Sequence, residues 1–230
     1  MAEIDSSSLK ETFLRLKESV RSYTKRRLVN SIALGKEPRI KVIRGFRGVG
    51  KTTAMLQIAD EKSIYFSMDN PLVQKYSLYE LGKYFVLAGY SVIFIDEVHH
   101  SKNWKEDSKA LYDEFPFVSI VISGSAPLAF EPERRYDIIE AEPLSLSEYA
   151  SLCESPLPSP LPDADWQSVE SAIRFLSSNP STYARYKEYM EGGAFPLYFT
   201  YKEKTLDGIS AGIWKSVRED AVFLGNSNSA

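Results

Sequence analysis

The chain has 230 residues, of which 43% are hydrophobic and 26% are charged. These values are typical of a globular protein with one α/β domain and a small second domain. The sequence contains no run of about eighteen apolar residues and no apolar signal core near its start, so we expect no membrane contact and a cytoplasmic location. The only cysteine, Cys153, excludes internal disulfides and cysteine-based metal clusters.

The net charge of −3 conceals an uneven distribution along the chain. Residues 1–60 contain thirteen Lys and Arg against six Asp and Glu, whereas the rest of the chain is acidic on balance. A basic segment of this kind can face nucleic acid or an acidic partner, or it can form a solvated helix face and a phosphate site. We favour the second interpretation, and contact with DNA stays open.

Hydrophobic periodicity predicts one long helix at the start of the chain, over residues 8–34. Ser6 to Ser8 offer hydroxyls for its N-terminal cap, and Lys25 to Arg27 place positive charge where a helix, or its first half, ends. The apolar residues that recur at three- and four-residue steps are Leu9, Phe13, Leu16, Val20 and Tyr23.

Alternating helical and extended segments follow, which is the pattern of a parallel α/β sheet. The predicted strands are residues 39–44, 62–67, 91–95, 117–122 and 136–140. The predicted helices are residues 52–60, 77–88, 102–114, 165–177, 181–191 and 206–224, together with one that is capped by Ser145 or Ser147 and reaches Leu152. Residues 91–95 are a continuous apolar run, so we expect that strand to be covered on both faces.

A proline-rich segment marks the best candidate domain boundary. Residues 154–163 hold four of the twelve prolines, a composition typical of a semi-rigid linker or surface loop. We therefore predict an α/β domain with its N-terminal helix over residues 1–153, a linker over 154–163, and a helical subdomain over 164–230.

The segment between the first strand and the next helix, GFRGVGKT, fits the phosphate-binding pattern G-x-x-x-x-G-K-[ST]. Small residues let backbone N–H groups wrap around a phosphate, and the following helix points its positive end at the same anion. A plain glycine-rich turn is the alternative, which the flanking strand and helix disfavour. The predicted cofactor-binding residues are Gly45, Phe46, Arg47, Gly48, Val49, Gly50, Lys51, Thr52 and Thr53.

Two residues of this segment have side chains suited to a nucleotide and its metal ion. Lys51 can reach the β- and γ-phosphate oxygens, and the Thr52 hydroxyl can hold Mg²⁺. The sequence therefore predicts a site for ATP or ADP with Mg²⁺.

Asp96 and Glu97 end the most apolar strand, where two adjacent carboxylates are costly unless they face a cation. With Mg²⁺ and a phosphate nearby, Asp96 can hold the metal ion through its water shell. Glu97 can accept a proton from the water that attacks the γ-phosphate. The alternative is a strand that simply leaves the core at these residues.

Four more polar residues follow predicted strands. His99 and His100 are adjacent and so do not face the same way, which makes a zinc site improbable; a polar tip that reports on the nucleotide is the better interpretation. Ser123 and Ser125 end the next strand, where they can sense the γ-phosphate or serve as turn residues. Neither of these two readings of the serines is preferred.

These motifs, in this order and spacing, resemble one group of P-loop ATPases: the archaeal and bacterial AAA+-type ATPases related to the STAND and origin-recognition ATPases. The resemblance covers residues 1–150, and Gly192 to Pro196 looks like the glycine motif of the family's helical lid. It rests on GFRGVGKTT, IDEVH, ISGS, Trp104 ahead of Leu111 and Tyr112, and PLSLSEY.

The resemblance implies a P-loop NTPase fold, with a five-stranded parallel sheet of order 5-1-4-3-2 between helices and a small helical lid. It implies ATP hydrolysis with Mg²⁺ and a catalytic arginine, for which Arg134 and Arg135 are the candidates. The family's pattern usually continues into a winged-helix or nuclease-like domain, for which this chain stops too early, so it is either a fragment or a divergent member.

Three functions are compatible with this resemblance. The first is an ATPase that remodels a macromolecular partner, with a possible nucleotide-dependent oligomer. The second is a signalling switch with little turnover, and the third is a DNA-associated ATPase. Glu97 favours the first over the second, because a protein that only binds nucleotide does not need a base.

Overall fold

The structure is a computed structural model that describes residues 4–32, 40–125, 135–154 and 169–225. The chain divides into two compact units, of which the first runs to Glu142 and the second is Pro143–Trp214; the residues that follow Trp214 group with the first. The predicted linker at 154–163 lies almost entirely outside the described residues, so the predicted domain limits stay a prediction. None of the described helices is long and apolar enough to cross a membrane.

Five parallel strands form one sheet in the first unit, in the order β2-β3-β4-β1-β5. This arrangement confirms the predicted P-loop sheet of order 5-1-4-3-2. The strands are β1 Ile40–Gly45, β2 Ser63–Ser67, β3 Val92–Asp96, β4 Ser119–Ser125 and β5 Tyr136–Glu140. Since all five run in the same direction, their carboxyl ends share one edge, where ligands bind in open α/β sheets.

The described helices of the first unit largely match the predicted ones. The α4 helix begins at the capping box of Ser77 and Glu80, and it stops before Gly89, whose φ of +96° is the left-handed conformation that ends helices. The helices are α1 Ser6–Ser19, α2 Arg27–Ser31, α3 Lys51–Ile58, α4 Leu78–Leu87 and α5 Trp104–Glu114.

The core of the first unit lies on both faces of the central strands. Every residue of β3 is buried, as its continuous apolar run predicts. On the edge strand β5, Asp137 and Glu140 pair with Lys41 and Arg44, which stand directly opposite them on β1. A shift of one residue would separate both ion pairs, so these charges support the observed register.

The single helix predicted over residues 8–34 is wrong. α1 ends at Ser19, and the chain runs without helix to α2, while residues 33–39 lie outside the described part. Between the helices, the carbonyl of Tyr23 accepts a hydrogen bond from Gln57, and Arg26 donates to two distant carbonyls. These tertiary hydrogen bonds replace the bonds of a continuous helix, which periodicity alone does not reveal.

Two local predictions are also corrected. The cap of α1 is Asp5, whose carboxylate accepts from the backbone N–H and the hydroxyl of Ser8, so the serines are not the cap. The strand predicted from Phe117 begins at Ser119 instead, because a turn joins the N–H of Val118 to the carbonyl of Phe115. Phe117 is left 74% exposed.

The second unit has a small core formed by Leu144, Tyr149 and Tyr198. Gly193 packs so closely on the Tyr149 ring that an added Cβ would lie 2.9 Å from it, and Gly192 has a φ of +131°. Both glycines of the lid motif therefore have steric reasons to be glycine. The helices are α6 Leu146–Leu152, α7 Val169–Ser178, α8 Pro180–Glu188, α9 Tyr198–Tyr201 and α10 Thr205–Gly225.

Candidate nucleotide site

The predicted phosphate loop connects the carboxyl end of β1 to the start of α3. Gly48 and Gly50 have φ angles of +81° and +91°, which L side chains rarely adopt, and Gly50 is the residue before the first turn of α3. In this conformation the loop curls back and leads directly into the helix, whose first N–H groups have no intrahelical acceptors. The sequence pattern and the backbone therefore agree on a phosphate cradle.

The other residues of the loop have different environments. An added Cβ at Gly45 would lie 2.2 Å from the carbonyl oxygen of Ala141, so this glycine is required by the chain that follows β5. Val49 is fully buried and anchors the loop, whereas Phe46 is 56% exposed. Arg47 is half-buried, and Thr53 lies in the first turn of α3.

Lys51 is the first residue of α3 and is only 6% exposed. Its ammonium group donates to the carbonyl oxygens of Gly45 at 2.7 Å and of Phe46 at 3.0 Å. The charge therefore lies inside the curl of the loop, where a phosphate anion would be attracted to it.

Arg26 supports the loop from outside. Its guanidinium donates to the carbonyl of Val49 and, at 3.0 Å, to that of Glu142. This side chain thus ties the phosphate loop to the segment after β5. From the sequence, Arg26 is expected at the charged end of a helix, since a run of three basic residues does not indicate which one will reach a distant carbonyl.

Asp96 is the most heavily hydrogen-bonded side chain of the site. It is 2% exposed, and its Oδ2 accepts from the Thr52 hydroxyl at 2.5 Å and from the Tyr65 hydroxyl at 2.9 Å. Its Oδ1 accepts from the Ser123 hydroxyl and from the backbone N–H of Glu97 at 3.0 Å. Thr52 and Asp96, the two predicted metal ligands, are therefore adjacent, and both offer the oxygen ligands that Mg²⁺ prefers.

Glu97 follows β3 in a left-handed conformation, with φ of +49° and ψ of +45°. For a residue other than glycine this costs roughly 1–3 kcal/mol and is found most often at functional sites. Burial, reinforced by the charge of Asp96, raises the pKa of Glu97, although Lys51 and Arg47 oppose the shift. Among the described residues, no hydrogen bond satisfies its buried Oε2 atom.

His99 lies in the short 3₁₀ turn Val98–His100 and is buried. Its Nδ1 is 3.3 Å from Glu97 Oε2, and its ring is 4.4 Å from that of His100. Burial, together with the positive neighbours His100, Arg47 and Lys51, lowers the pKa of His99 to about 4. The ring is therefore neutral near pH 7 and lies against the candidate base.

Ser123 is fully buried and donates to Asp96, so it holds the carboxylate from the β4 side. In the register of the sheet, Ser125 stands opposite Gly45, at the start of the phosphate loop; its side chain lies outside the described part. The backbone thus brings Ser125 to the loop, while Ser123 contacts the predicted metal ligand.

Of the two candidate arginines, the structure describes only Arg135, which is far from the carboxyl ends of the strands. Arg134 lies outside the described residues. Arg135 immediately precedes β5 and therefore lies at the amino ends of the strands, opposite the phosphate loop. Its guanidinium donates two hydrogen bonds, of 3.1 and 3.2 Å, to the Asp113 carboxylate of α5. Both partners are about half exposed. Arg135 therefore does not reach the phosphate loop of its own chain.

A cavity of about 300 Å³ opens beside the carboxylates. Leu9, Thr12 and Leu16 of α1 line one side, and the ends of β2 and β3 line the other, including Asp96 and Glu97. Glu97 therefore borders this cavity, although its Oε2 atom is itself buried.

Sequence reasoning missed Tyr65, which is 6% exposed on β2. Burial and the neighbouring Asp96 raise the pKa of Tyr65, so the hydroxyl stays protonated as a donor. In an apolar strand pattern, a tyrosine looks like a core residue. Only the pairing of β2 with β3 brings its hydroxyl to Asp96.

Residues 37–150 match a family model described as an AAA domain. A search of curated proteins finds no match.

Solved structures that resemble this chain include PCH-2 of C. elegans, with a TM-score of 0.34, 16% identity and coverage of 76% of this chain and 49% of that one. A variant of Thermotoga maritima RuvB has a TM-score of 0.36, 19% identity and coverage of 66% and 50%. This chain thus spans about half the length of both proteins.

The segment that matches the family model also contains the parallel sheet, the phosphate loop and the carboxylates at the end of β3. Through residues 37–150, this chain belongs to the AAA type of nucleotide-binding P-loop ATPases.

Proposed function

We propose that this chain hydrolyses ATP in the presence of Mg²⁺ and couples that hydrolysis to a conformational change in a macromolecular partner. One observation carries the proposal: the Thr52 hydroxyl lies 2.5 Å from Asp96, while the adjacent Glu97 has a buried carboxylate oxygen without a hydrogen bond among the described residues. The first pair suits a metal-bound phosphate, and the second group suits a water molecule beside it.

Binding of the nucleotide would depend on the loop and on Lys51. The left-handed glycines curl the loop so that its backbone N–H groups can converge on phosphate oxygens. Lys51 would exchange two neutral carbonyl acceptors for charged phosphate oxygens, and charge-assisted bonds of that kind are the stronger ones.

Thr52 and Asp96 would hold the metal ion, since their oxygens lie 2.5 Å apart at the start of α3. When bound, Mg²⁺ supplies positive charge that offsets the negative charge of the phosphates. Ser123 and the N–H of Glu97 keep Asp96 in place from its other oxygen.

Glu97 would act as the general base. Its pKa is raised, which brings it closer to the working pH and strengthens it as a proton acceptor. The cavity beside α1 is lined in part by Glu97 and would hold the attacking water next to this residue. The neutral His99 ring limits where the carboxylate can move.

The macromolecular partner and the effect of hydrolysis on it are proposed from the family resemblance, and the two other functions make different predictions. A signalling switch with little turnover predicts tight nucleotide binding and a rate that Glu97→Gln hardly changes. A DNA-associated ATPase predicts turnover that rises when DNA is added, through the basic N-terminal part of the chain.

The test measures phosphate release by the wild-type protein at saturating ATP, with and without MgCl₂ and with and without double-stranded DNA. Lys51→Ala sets the background from contaminating ATPases. Turnover above that background that requires Mg²⁺ supports hydrolysis, and further stimulation by DNA favours the third function. Tight ATP binding with turnover no higher than Lys51→Ala would replace hydrolysis by the switch.

A further inference from the structure

Tyr65 makes a contact that the chemistry described above does not use. Its hydroxyl donates at 2.9 Å to Asp96 Oδ2, the same oxygen that accepts from Thr52. The side chain is 6% exposed on β2. A buried phenol that donates to a carboxylate is a strong and directional contact, because one partner is charged.

The hydrogen bonds of Asp96 explain why this donor matters. A carboxylate has about four lone-pair sites, and Asp96 receives four donors, two on each oxygen. Thr52 is the one donor that also has to serve the metal ion. A hydroxyl that binds a cation through an oxygen lone pair can still donate its O–H, but it must turn to suit both partners, so Tyr65 is the donor on Oδ2 that serves Asp96 alone.

Tyr65 is itself held in place. The ring of Phe13, on α1, stacks against the ring of Tyr65 with centroids 6.5 Å apart and planes 26° apart. β2 and β3 are paired along their whole length, and this register determines the position of the Tyr65 hydroxyl along the strands relative to Asp96. The donor therefore has little freedom to follow the carboxylate if the carboxylate turns.

We propose that Tyr65 is a positioning residue that orients the Asp96 carboxylate for a divalent cation. The inference rests on the proposed Mg²⁺-dependent binding of nucleotide and assigns a new residue to it. Groups that hold a metal ligand in orientation typically contribute 10–100-fold to metal affinity. Because Asp96 keeps two donors on its other oxygen, we expect an effect near the lower end, about tenfold.

The experiment measures the affinity of ADP, which avoids turnover, across a series of MgCl₂ concentrations and in EDTA. The test variant is Tyr65→Phe, which removes only the hydroxyl. The matched control is Tyr136→Phe: Tyr136 is also 6% exposed on a strand of the same sheet, and its hydroxyl bonds Ser108 at 3.0 Å at the opposite edge. Thermal melting establishes that both variants fold.

MgCl₂ should raise the affinity for ADP, and the midpoint is the MgCl₂ concentration at which half of this increase is reached. For Tyr65→Phe we expect the midpoint to rise about tenfold, while the affinity for ADP in EDTA stays within twofold of wild type. Tyr136→Phe should match wild type in both measurements. The inference is overturned if Tyr65→Phe keeps the wild-type midpoint, or if Tyr136→Phe shifts it equally. A wild-type protein that binds ADP without any response to MgCl₂ would instead contradict the proposed function.

Discussion

The Oε2 atom of Glu97 lies 3.3 Å from Nδ1 of His99, and both side chains are largely buried beside the phosphate loop. The pKa of Glu97 is raised and that of His99 is lowered, so burial favours the neutral form of each. This pair places a carboxylate with an enhanced affinity for protons next to a ring that is neutral at pH 7.

The first prediction concerns Glu97→Gln. The amide keeps the size of the side chain but cannot accept a proton from water, so hydrolysis should slow by roughly 10²–10⁴-fold while ATP affinity is retained. Single-turnover phosphate release and a calorimetric ATP titration measure the two quantities. Hydrolysis at the wild-type rate would show that Glu97 is structural.

A second prediction separates Asp96 from Glu97. Asp96→Asn removes the charge that would hold the metal ion, and it turns one acceptor into an amide that faces the Thr52 hydroxyl. We expect the dependence of ATP binding on MgCl₂ to weaken, whereas Glu97→Gln should keep it. The measurement is nucleotide affinity with MgCl₂ and with EDTA, and an unchanged difference between the two conditions would contradict the assigned role.

The third prediction concerns His99 and the pH dependence of stability. In the unfolded chain the ring binds a proton near pH 6.5, but in the folded protein it does so only near pH 4. Between these values the unfolded state binds more protons, so the free energy of unfolding falls as the pH falls. From pH 7.5 to pH 5 this loss is about 2 kcal/mol for His99 alone.

His99→Gln removes this titration. Thermal or urea unfolding at both pH values should show a smaller loss of stability in the variant than in the wild type. The pKa shift of Glu97 acts in the opposite direction, but that residue is present in both proteins, so their difference reports on His99. Equal losses in the two proteins would mean that His99 is not a buried neutral ring.

The fourth prediction concerns the two candidate arginines. Arg135 is bound to Asp113 at the edge of the sheet opposite the phosphate loop, so any catalytic role requires a neighbouring subunit. An arginine supplied by a neighbour is worth roughly 10³–10⁵ in rate in related enzymes. We expect specific activity to rise with protein concentration, and replacement of Arg134 and Arg135 by Ala to remove that rise without changing ATP affinity.

Asp113→Ala is the matched control, because it breaks the same ion pair and keeps the arginine. An exposed pair of this kind contributes at most about 1 kcal/mol to stability. If Asp113→Ala lowers activity as much as the double replacement, the ion pair matters only for the fold. If the specific activity of the wild type and of every variant does not change with protein concentration, neither arginine acts on a neighbouring subunit.

The sequence by itself determined the elements whose signals are local. The glycines and Lys51 specify a phosphate loop through backbone conformation and charge, and β3 with its two carboxylates is defined by an apolar run that ends abruptly. The order of the strands followed from the family resemblance that these motifs support. Local chemistry and spacing were sufficient, because a loop and the two elements beside it are contiguous in the chain.

The tertiary structure decided what depends on residues far apart in the chain. Tyr65 meets Asp96 because β2 pairs with β3, and Arg26 reaches Val49 because the chain leaves its helix after Ser19. The same holds for Arg135, whose partner Asp113 lies on a different element. Such hydrogen bonds are set by the distance between elements once they have packed. Hydrophobic periodicity shows which face of an element is buried, but not which polar group it meets there.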